Sequence, residues 1–196
     1  MPRTTVILIA SLFLSASACT QTQSWRLDPA HSAAQFAVRH MGISTVRGTF
    51  TKVQGTVQFD PADPAKLSID VTIDASSVDS RVEARDNDLR GASLLDVQHY
   101  PTITFRSKRT DVVGKGKLKV TGDLSIHGVK KEVVLDVDGL TEPVKDPRGN
   151  AHMGASATAT INRRDFGVTG YPAAMVGDDV AITIDVELVQ SVSANQ

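Results

Sequence analysis

"KLSIDVTID", Lys66 to Asp74, decides the fold class. Leu67, Ile69, Val71 and Ile73 alternate strictly with Ser68, Asp70, Thr72 and Asp74. A period of two puts the four aliphatic side chains on one face of an extended strand and the polar ones on the other. A helix would scatter the same residues around its whole circumference. The segment is therefore a strand with one buried face, and its β-branched residues suit that setting.

The same period recurs outward in both directions. Upstream, Ala34, Phe36 and Val38 form one run, and Val46, Gly48 and Phe50 lead into Val53, Gly55, Val57 and Phe59. Downstream come Ile103 with Phe105, then Leu118, Val120, Leu124 and Ile126, then Val133, Leu135 and Val137. Met153, Ala155, Ala157, Ala159 and Ile161 form a small-residue run, and Ile182, Ile184, Val186 and Leu188 the last. Turn chemistry separates the runs at "DPADP" (Asp60–Pro64), "HGVKK" (His127–Lys131) and "DPRGN" (Asp146–Asn150). Such short connections join antiparallel neighbours. Eight runs of this kind predict an all-β chain that closes into an antiparallel barrel. Gly48, Gly55 and Gly122 fall inside runs, where they permit the sharp bends a closed barrel needs.

One stretch breaks the pattern. In "RVEARDNDLR", Arg81 to Arg90, six of the ten residues are charged and β-branched residues nearly vanish. Ser80, three residues ahead of Glu83, resembles a capping box, and Gly91 stands where a helix ends. The spacing predicts a short helix between the third and fourth strand runs. Unable to pair with the sheet, it belongs at an open end of the barrel.

Composition bounds the rest. The chain has 196 residues, a formal net charge of −1 and 41% hydrophobic content, so no basic face for nucleic acid is expected. Arg3, the apolar run that follows and Ala16-Ser17-Ala18 read as a secretory signal peptide over residues 1–18. Cys19 is the single cysteine, which excludes an intramolecular disulfide. "SASAC" resembles a bacterial lipobox, in which that cysteine is acylated, although Ala16 stands where such signals prefer leucine. The expectation is a periodic barrel domain over residues 25–190, tethered by residues 19–24 and ending in a disordered tail over 191–196. Its location is periplasmic or secreted, either free or as a lipoprotein anchored to the membrane through Cys19.

Catalytic motifs are missing from the sequence. His31, His40, His99, His127 and His152 show no metal-ligand spacing, so no metal site is predicted. A Ser-His-Asp set could be drawn from Ser32, His31 or His99, and Asp86, but no G-x-S-x-G accompanies it. "GKGK" (Gly114–Lys117) lacks the setting of a phosphate loop and reads as a hairpin turn. Two Arg-Asp pairs remain, Arg85-Asp86 in the helix and Arg164-Asp165 in "INRRDFGVTG". They read either as salt bridges that pin the rim or as a collar for a ligand headgroup, since arginine forks bind phosphate and carboxylate.

"WRLDPAHSAAQFAVRHMGISTVRGTF", "ARDNDLRGASLLDVQHYPTITFRS", "VTGDLSIHGVKKEVVLDV" and "INRRDFGV" resemble, in order, the motifs of the YceI-like family. The resemblance implies an extended lipocalin-like barrel, a periplasmic or secreted setting, and binding of long amphiphiles such as isoprenoid quinones or polyprenyl phosphates. It implies no conserved reaction and no required cofactor. Asp28, His31 and Ser32 match the family's "DP-HS", Arg85 and Asp86 its "RD", Tyr100 and Pro101 its "YP", and Phe105 lies in its "ITF". Gly122, Asp123 and Leu124 match "GDL", and Arg164, Asp165, Phe166 and Gly167 match "R-DFG". Asp88, Gly91-Ala92 and Leu94 depart from the family's usual His, Ser and Phe, so the rim differs chemically.

The combined expectation is a container. Phe36, Val38, Phe50, Ile69, Val71, Leu89, Leu94, Ile103, Phe105, Ala157, Ala159 and Phe166 would line it, and His31, Arg85, Asp86, Arg164 and Asp165 would form its polar rim. Two other readings stand beside it: an enzyme acting on a lipid-like substrate at the mouth, and a structural or stress protein with a filled core. The oligomeric state stays open, a homodimer included.

Overall fold

The structure, a computed structural model, describes residues 23–191. The expected signal peptide, Cys19, most of the tether and the tail beyond Ser191 lie outside the described residues. The strands are β1 (Gln23–Leu27), β2 (Ala33–His40), β3 (Ser44–Phe50), β4 (Val53–Phe59), β5 (Ser68–Asp74) and β6 (Val78–Asp79), followed by helix α1 (Glu83–Arg90). Then come β7 (Thr102–Gly114), β8 (Lys117–Ile126), β9 (Val129–Asp138), β10 (Val144–Lys145), β11 (Ala151–Asn162) and β12 (Val176–Gln190).

Twelve strands make eight walls. The hydrogen-bonded order runs β11, β9, β8, β7, β5, β4, β1, β12, and the pairing of β11 with β12 closes the ring. Every neighbour is antiparallel. β1 and β2 run in succession along one side of β12, at Leu188–Gln190 and then Val176–Asp185, so together they serve as one barrel strand. β3 and β4 likewise pair in turn with β2 and β1. The joints coincide with slips of hydrophobic phase. Inward positions change from odd (Trp25, Leu27) to even (Ala34, Phe36) across residues 28–32, and back to odd at Val53 across Thr51-Lys52. Because side-chain direction repeats every two residues, each slip requires a break in the strand. The short β6 and β10, absent from the sequence reading, are two-residue additions at the ends of β3 and β11.

His127 and Gly128, with φ of 51° and 73°, make the two-residue turn that pairs Ile126 with Val129. Gly48 and Gly122 have a role the sequence did not show. A Cβ on Gly48 would lie 2.4 Å from the Phe36 ring, and one on Gly122 would lie 2.5 Å from the Phe105 ring. Each glycine leaves room for an aromatic side chain from a neighbouring strand. The ladder also slips between Ser107 and Arg109 beside Gly122, so the bend expected there is present as a bulge.

One end of the barrel is plugged. Trp25, Phe59, Leu118, Val120 and Met153 are buried together, Trp25 and Val120 with no exposure at all. The helix, the β2–β3 turn and the loop from Gly167 to Met175 gather at the other end.

Candidate functional site: an apolar cavity with a latched mouth

The eight walls enclose a cavity of about 500 Å³. The interior is therefore not filled, which removes the reading of a protein with a solid core. Leu67, Val57, Leu135 and Leu188 form its lower wall above the plug. All twelve residues predicted to line the container do face this space: Phe36, Val38, Phe50, Ile69, Val71, Leu89, Leu94, Ile103, Phe105, Ala157, Ala159 and Phe166. For the nine on strands the reason is the period of two, since one inward residue fixes every second one; Leu89, Leu94 and Phe166 come from α1, the turn after it and the 3-10 segment Arg163–Phe166. On β11 the inward set is Ala155, Ala157 and Ala159, whose missing bulk widens the cavity on that side.

The mouth is built by arginines, and α1 shows how. The predicted capping box is not formed. The residue at the helix start is Val82, with no side-chain cap, and Gly91 has an ordinary φ of −68°. The Ser80 hydroxyl and N–H instead both donate to Asp86 Oδ1, the N–H at 2.8 Å. Arg85 donates to the Ser80 hydroxyl oxygen at 2.7 Å and to its carbonyl at 2.8 Å. Arg90 reaches the carbonyls of Ser76 and Val78, each at 2.8 Å. The dense charge of this stretch thus fastens a short, polar helix to β6 and the turn before it. Burial opposes the charge on Asp86, yet the Ser80 donors, with Arg90 and Arg85 nearby, hold its carboxyl below the usual value.

Opposite the helix, Arg163 organises the loop. Its side chain is buried and donates to the carbonyls of Gly177 (3.0 Å), Val168 (2.7 Å), Tyr171 (2.7 Å) and Val176 (2.9 Å). It also pairs with Asp178 at 2.9 Å, an acceptor it shares with Arg164 at 2.6 Å. Desolvation pushes the Arg163 pKa down, which Asp178 offsets in part. The two halves of the mouth meet where the Tyr171 hydroxyl donates to Asp88 Oδ2. Arg39, His40, Arg85, Asp88, Arg163 and Tyr171 all reach the cavity lining.

Four of the five predicted rim residues miss the cavity lining: His31, Asp86 and Asp165 are placed elsewhere, and Arg164 is exposed on the loop. His31 lies outside the barrel, paired with Asp28 at 3.0 Å, because the β1–β2 joint turns outward there. Asp86 is spent beneath the helix on Ser80 and does not reach the cavity. Asp165 is exposed on the one-turn 3-10 segment Arg163–Phe166 and also misses the lining. Of the two Arg-Asp pairs, Arg85 reaches the mouth, and Arg164 braces the loop through Asp178 and the Tyr171 carbonyl (3.0 Å). The supposed Ser-His-Asp set is dispersed. Ser32 bonds the Glu187 backbone, His99 pairs with Asp96 and Asp86 with Ser80. Sequence reasoning passed over Arg163, Tyr171 and Trp25; of these, only the doubled arginine of "RRDFG" hinted that one arginine would be buried.

Asp28, His31 and Glu187 place three potential metal-ligand atoms within 4.8 Å of one another on the outer wall. His152 bridges Glu187 at 2.7 Å and Asp146 at 3.4 Å beside them. The hydrogen bond to Asp28 raises the His31 pKa, and the bond to Glu187 raises that of His152. The arrangement ties the β1–β2 joint to β12 and the β10–β11 turn, on the outside of the barrel and away from the cavity.

Fold and site together define a lipocalin-like antiparallel β-barrel, closed at one end and opening at the other into an apolar cavity under a small helix. Residues 25–188 match the YceI-like domain, and the chain belongs to the YceI-like family. It is 34% identical over 184 residues to Protein YceI of Salmonella arizonae, covering 93% of this chain and 94% of that one. Among solved structures, BcnA of Burkholderia cenocepacia superposes with a TM-score of 0.73 at 27% identity, over 82% of this chain and 98% of that one. A polyisoprenoid binding domain from Saccharophagus degradans shares the fold at a TM-score of 0.62 and 15% identity, over 87% of this chain and all of that one.

Proposed function

We propose that the protein binds an amphiphile with a long apolar chain, isoprenoid or similar, and holds it in the barrel for storage or carriage. One observation carries this: the cavity of about 500 Å³ is walled by aliphatic and aromatic side chains, plugged below by Trp25 and its neighbours, and rimmed above by polar groups. Ten methylenes moved from water into such a space gain about 8 kcal/mol before the cost of ordering the chain. The binding domain from Saccharophagus degradans, of the same fold, supports an isoprenoid as the class of chain. Arg85, Arg39 and His40 at the mouth suit a headgroup with phosphate or carbonyl acceptors. Arg85, Arg163 and the Tyr171–Asp88 pair serve as braces of the mouth, which favours a binder over a catalyst. We place this activity in the periplasm on the strength of the leader-like residues 1–18.

Native mass spectrometry of the freshly purified protein, followed by solvent extraction, tests the reading. A retained mass that extracts as an amphiphile is the expected result. A ligand-free protein that takes up neither a fluorescent fatty acid nor a short polyprenol would overturn it.

A further inference from the structure

Three large apolar side chains stand exposed beside the mouth: Met41 at 57%, Ile43 at 79% and Met175 at 45%. They are held, not trailing. Met41 and Gly42 take φ of 51° and 70° in the β2–β3 turn, and the Met41 N–H donates to the Met175 carbonyl at 2.8 Å. Arg39 braces the same turn through the Gly42 carbonyl (2.6 Å) and the Thr45 hydroxyl (2.8 Å). Backbone at φ above zero on a methionine is costly, and these hydrogen bonds hold the turn there, in a form that presents Met41 and Ile43 to solvent. Beside Met41 and Ile43, the residues His40, Val46 and Val176 are already cavity wall, and Met175 itself reaches the lining.

Charge marks what this tip meets. From Ala33 to Phe50 the hairpin carries Arg39, His40 and Arg47 and no acidic residue. Arg39, at the mouth, and Arg47 are both exposed. On the neighbouring strands, Asp178 is paired with Arg163 and Arg164, Asp79 accepts from the Arg81 N–H, and Asp179 is in no ion pair among the described residues. Three side chains are far too little for a stable protein interface, which needs about 800 Å² from each partner. They are enough for shallow insertion among lipid headgroups, where apolar area and basic charge add.

We propose that the β2–β3 turn, with Met175, is a docking tip for an anionic lipid surface. It seats the cavity mouth against the bilayer, so an apolar chain passes between membrane and barrel without crossing water. The passage of a chain rests on the cavity reading above; the docking itself does not.

The test is flotation of the intact protein with vesicles of phosphatidylglycerol and phosphatidylcholine, against phosphatidylcholine alone. The wild type should float with the anionic vesicles and release from them as salt rises. Ile43→Glu should weaken binding by about tenfold or more, and Arg47→Gln should flatten the salt dependence. Any contribution of the N-terminal segment is common to all preparations. Ala157→Phe, which fills the cavity, should float like the wild type. If Ile43→Glu floats unchanged, or the wild type ignores anionic vesicles, the proposal fails. It fails equally if Ile43→Glu instead converts a dimer to a monomer in sedimentation, since the tip would then be a face for a second copy. A protein that floats through Ile43 but takes up no amphiphile would leave the docking standing and remove the cavity reading.

Discussion

The Tyr171 hydroxyl donates to the carboxylate of Asp88, joining two residues 83 positions apart in the chain across the cavity mouth. Asp88 belongs to α1, which Arg85 and Arg90 fasten to one wall; Tyr171 belongs to the loop that Arg163 gathers on the other. The bond is therefore a latch between two separately braced halves. Beside it, a Cβ on Gly170 would lie 2.5 Å from the Ser93 carbonyl, so loop and helix segment are already in close contact there. Tyr171→Phe should remove the latch and leave both braces. The expected outcome is faster release of a bound fluorescent amphiphile, with a stability loss of no more than about 1 kcal/mol. Stopped-flow displacement with and without the substitution measures it, and an unchanged release rate would count against a latch.

Arg163 should be the costliest single polar residue to lose. Replacement by methionine keeps much of the volume but leaves the carbonyls of Gly177, Val168, Tyr171 and Val176 without their donor. Removing one side of a buried charged network typically costs about 3 kcal/mol or more. Arg164→Met, whose side chain is partly exposed, should cost well under half as much. Denaturant melts of the two variants decide the order; equal losses would mean that the loop is held by other contacts.

Acid should loosen the mouth before the barrel. The folded pKa of Asp86 lies below its ordinary value, so the stability it lends is complete above about pH 4 and fades as pH falls through the lower folded value. Ser80→Ala deletes one donor to that carboxylate and should move the onset of the loss to higher pH. Hydrogen exchange of α1 amides across pH 2 to 5, a range chosen around the ordinary carboxylate value, reads this directly. An identical onset in both proteins would show that Asp86 does not govern the helix.

Ala157 faces the cavity between Val137 on β9 and Ile184 on β12. Ala157→Phe places a ring in empty space, so the usual cost of overpacking, about 1–3 kcal/mol, should not appear in full. Uptake of a fluorescent fatty acid should fall by more than tenfold while the melting temperature holds. A variant that still takes up the probe normally would show that the chain lies elsewhere.

The strands were legible because a period of two is a local signal, and one inward residue fixes the lining of a whole wall. That is why Ile69, Val71, Ile103 and Phe105 could be placed on the cavity from their spacing. The count of eight walls was also readable, although β1 and β2, or β3 and β4, are separate strands. The slip of phase at residues 28–32 and at Thr51-Lys52 is visible in the sequence once it is looked for. The rim was less readable, because it depends on contacts between distant segments. Nothing near Asp88 announces Tyr171. In "RRDFG" nothing local tells which arginine turns inward, and the family motif points to Arg164 where the buried one is Arg163. His31 was assigned to the rim by its motif, yet the joint between β1 and β2 turns it outward to Asp28.

Trp25 should set the depth of the container. It is wholly buried at the closed end, with Phe59, Leu118, Val120 and Met153, and its indole N–H has no acceptor. An unpartnered buried donor costs free energy, so the indole is present for its bulk rather than its hydrogen bond. Trp25→Ala should destabilise by about 3–5 kcal/mol, as other buried aromatic truncations do. The space it opens is continuous with the lower wall at Leu188 and Val57, because Trp25 pairs directly with Val57. The longest saturated fatty acid fully protected from aqueous quenching should therefore lengthen in the variant, read with probes quenched at the chain end. If the variant folds and protects only the same chain lengths as the wild type, the closed end is set by Phe59 and Met153 instead, and Trp25 serves only stability.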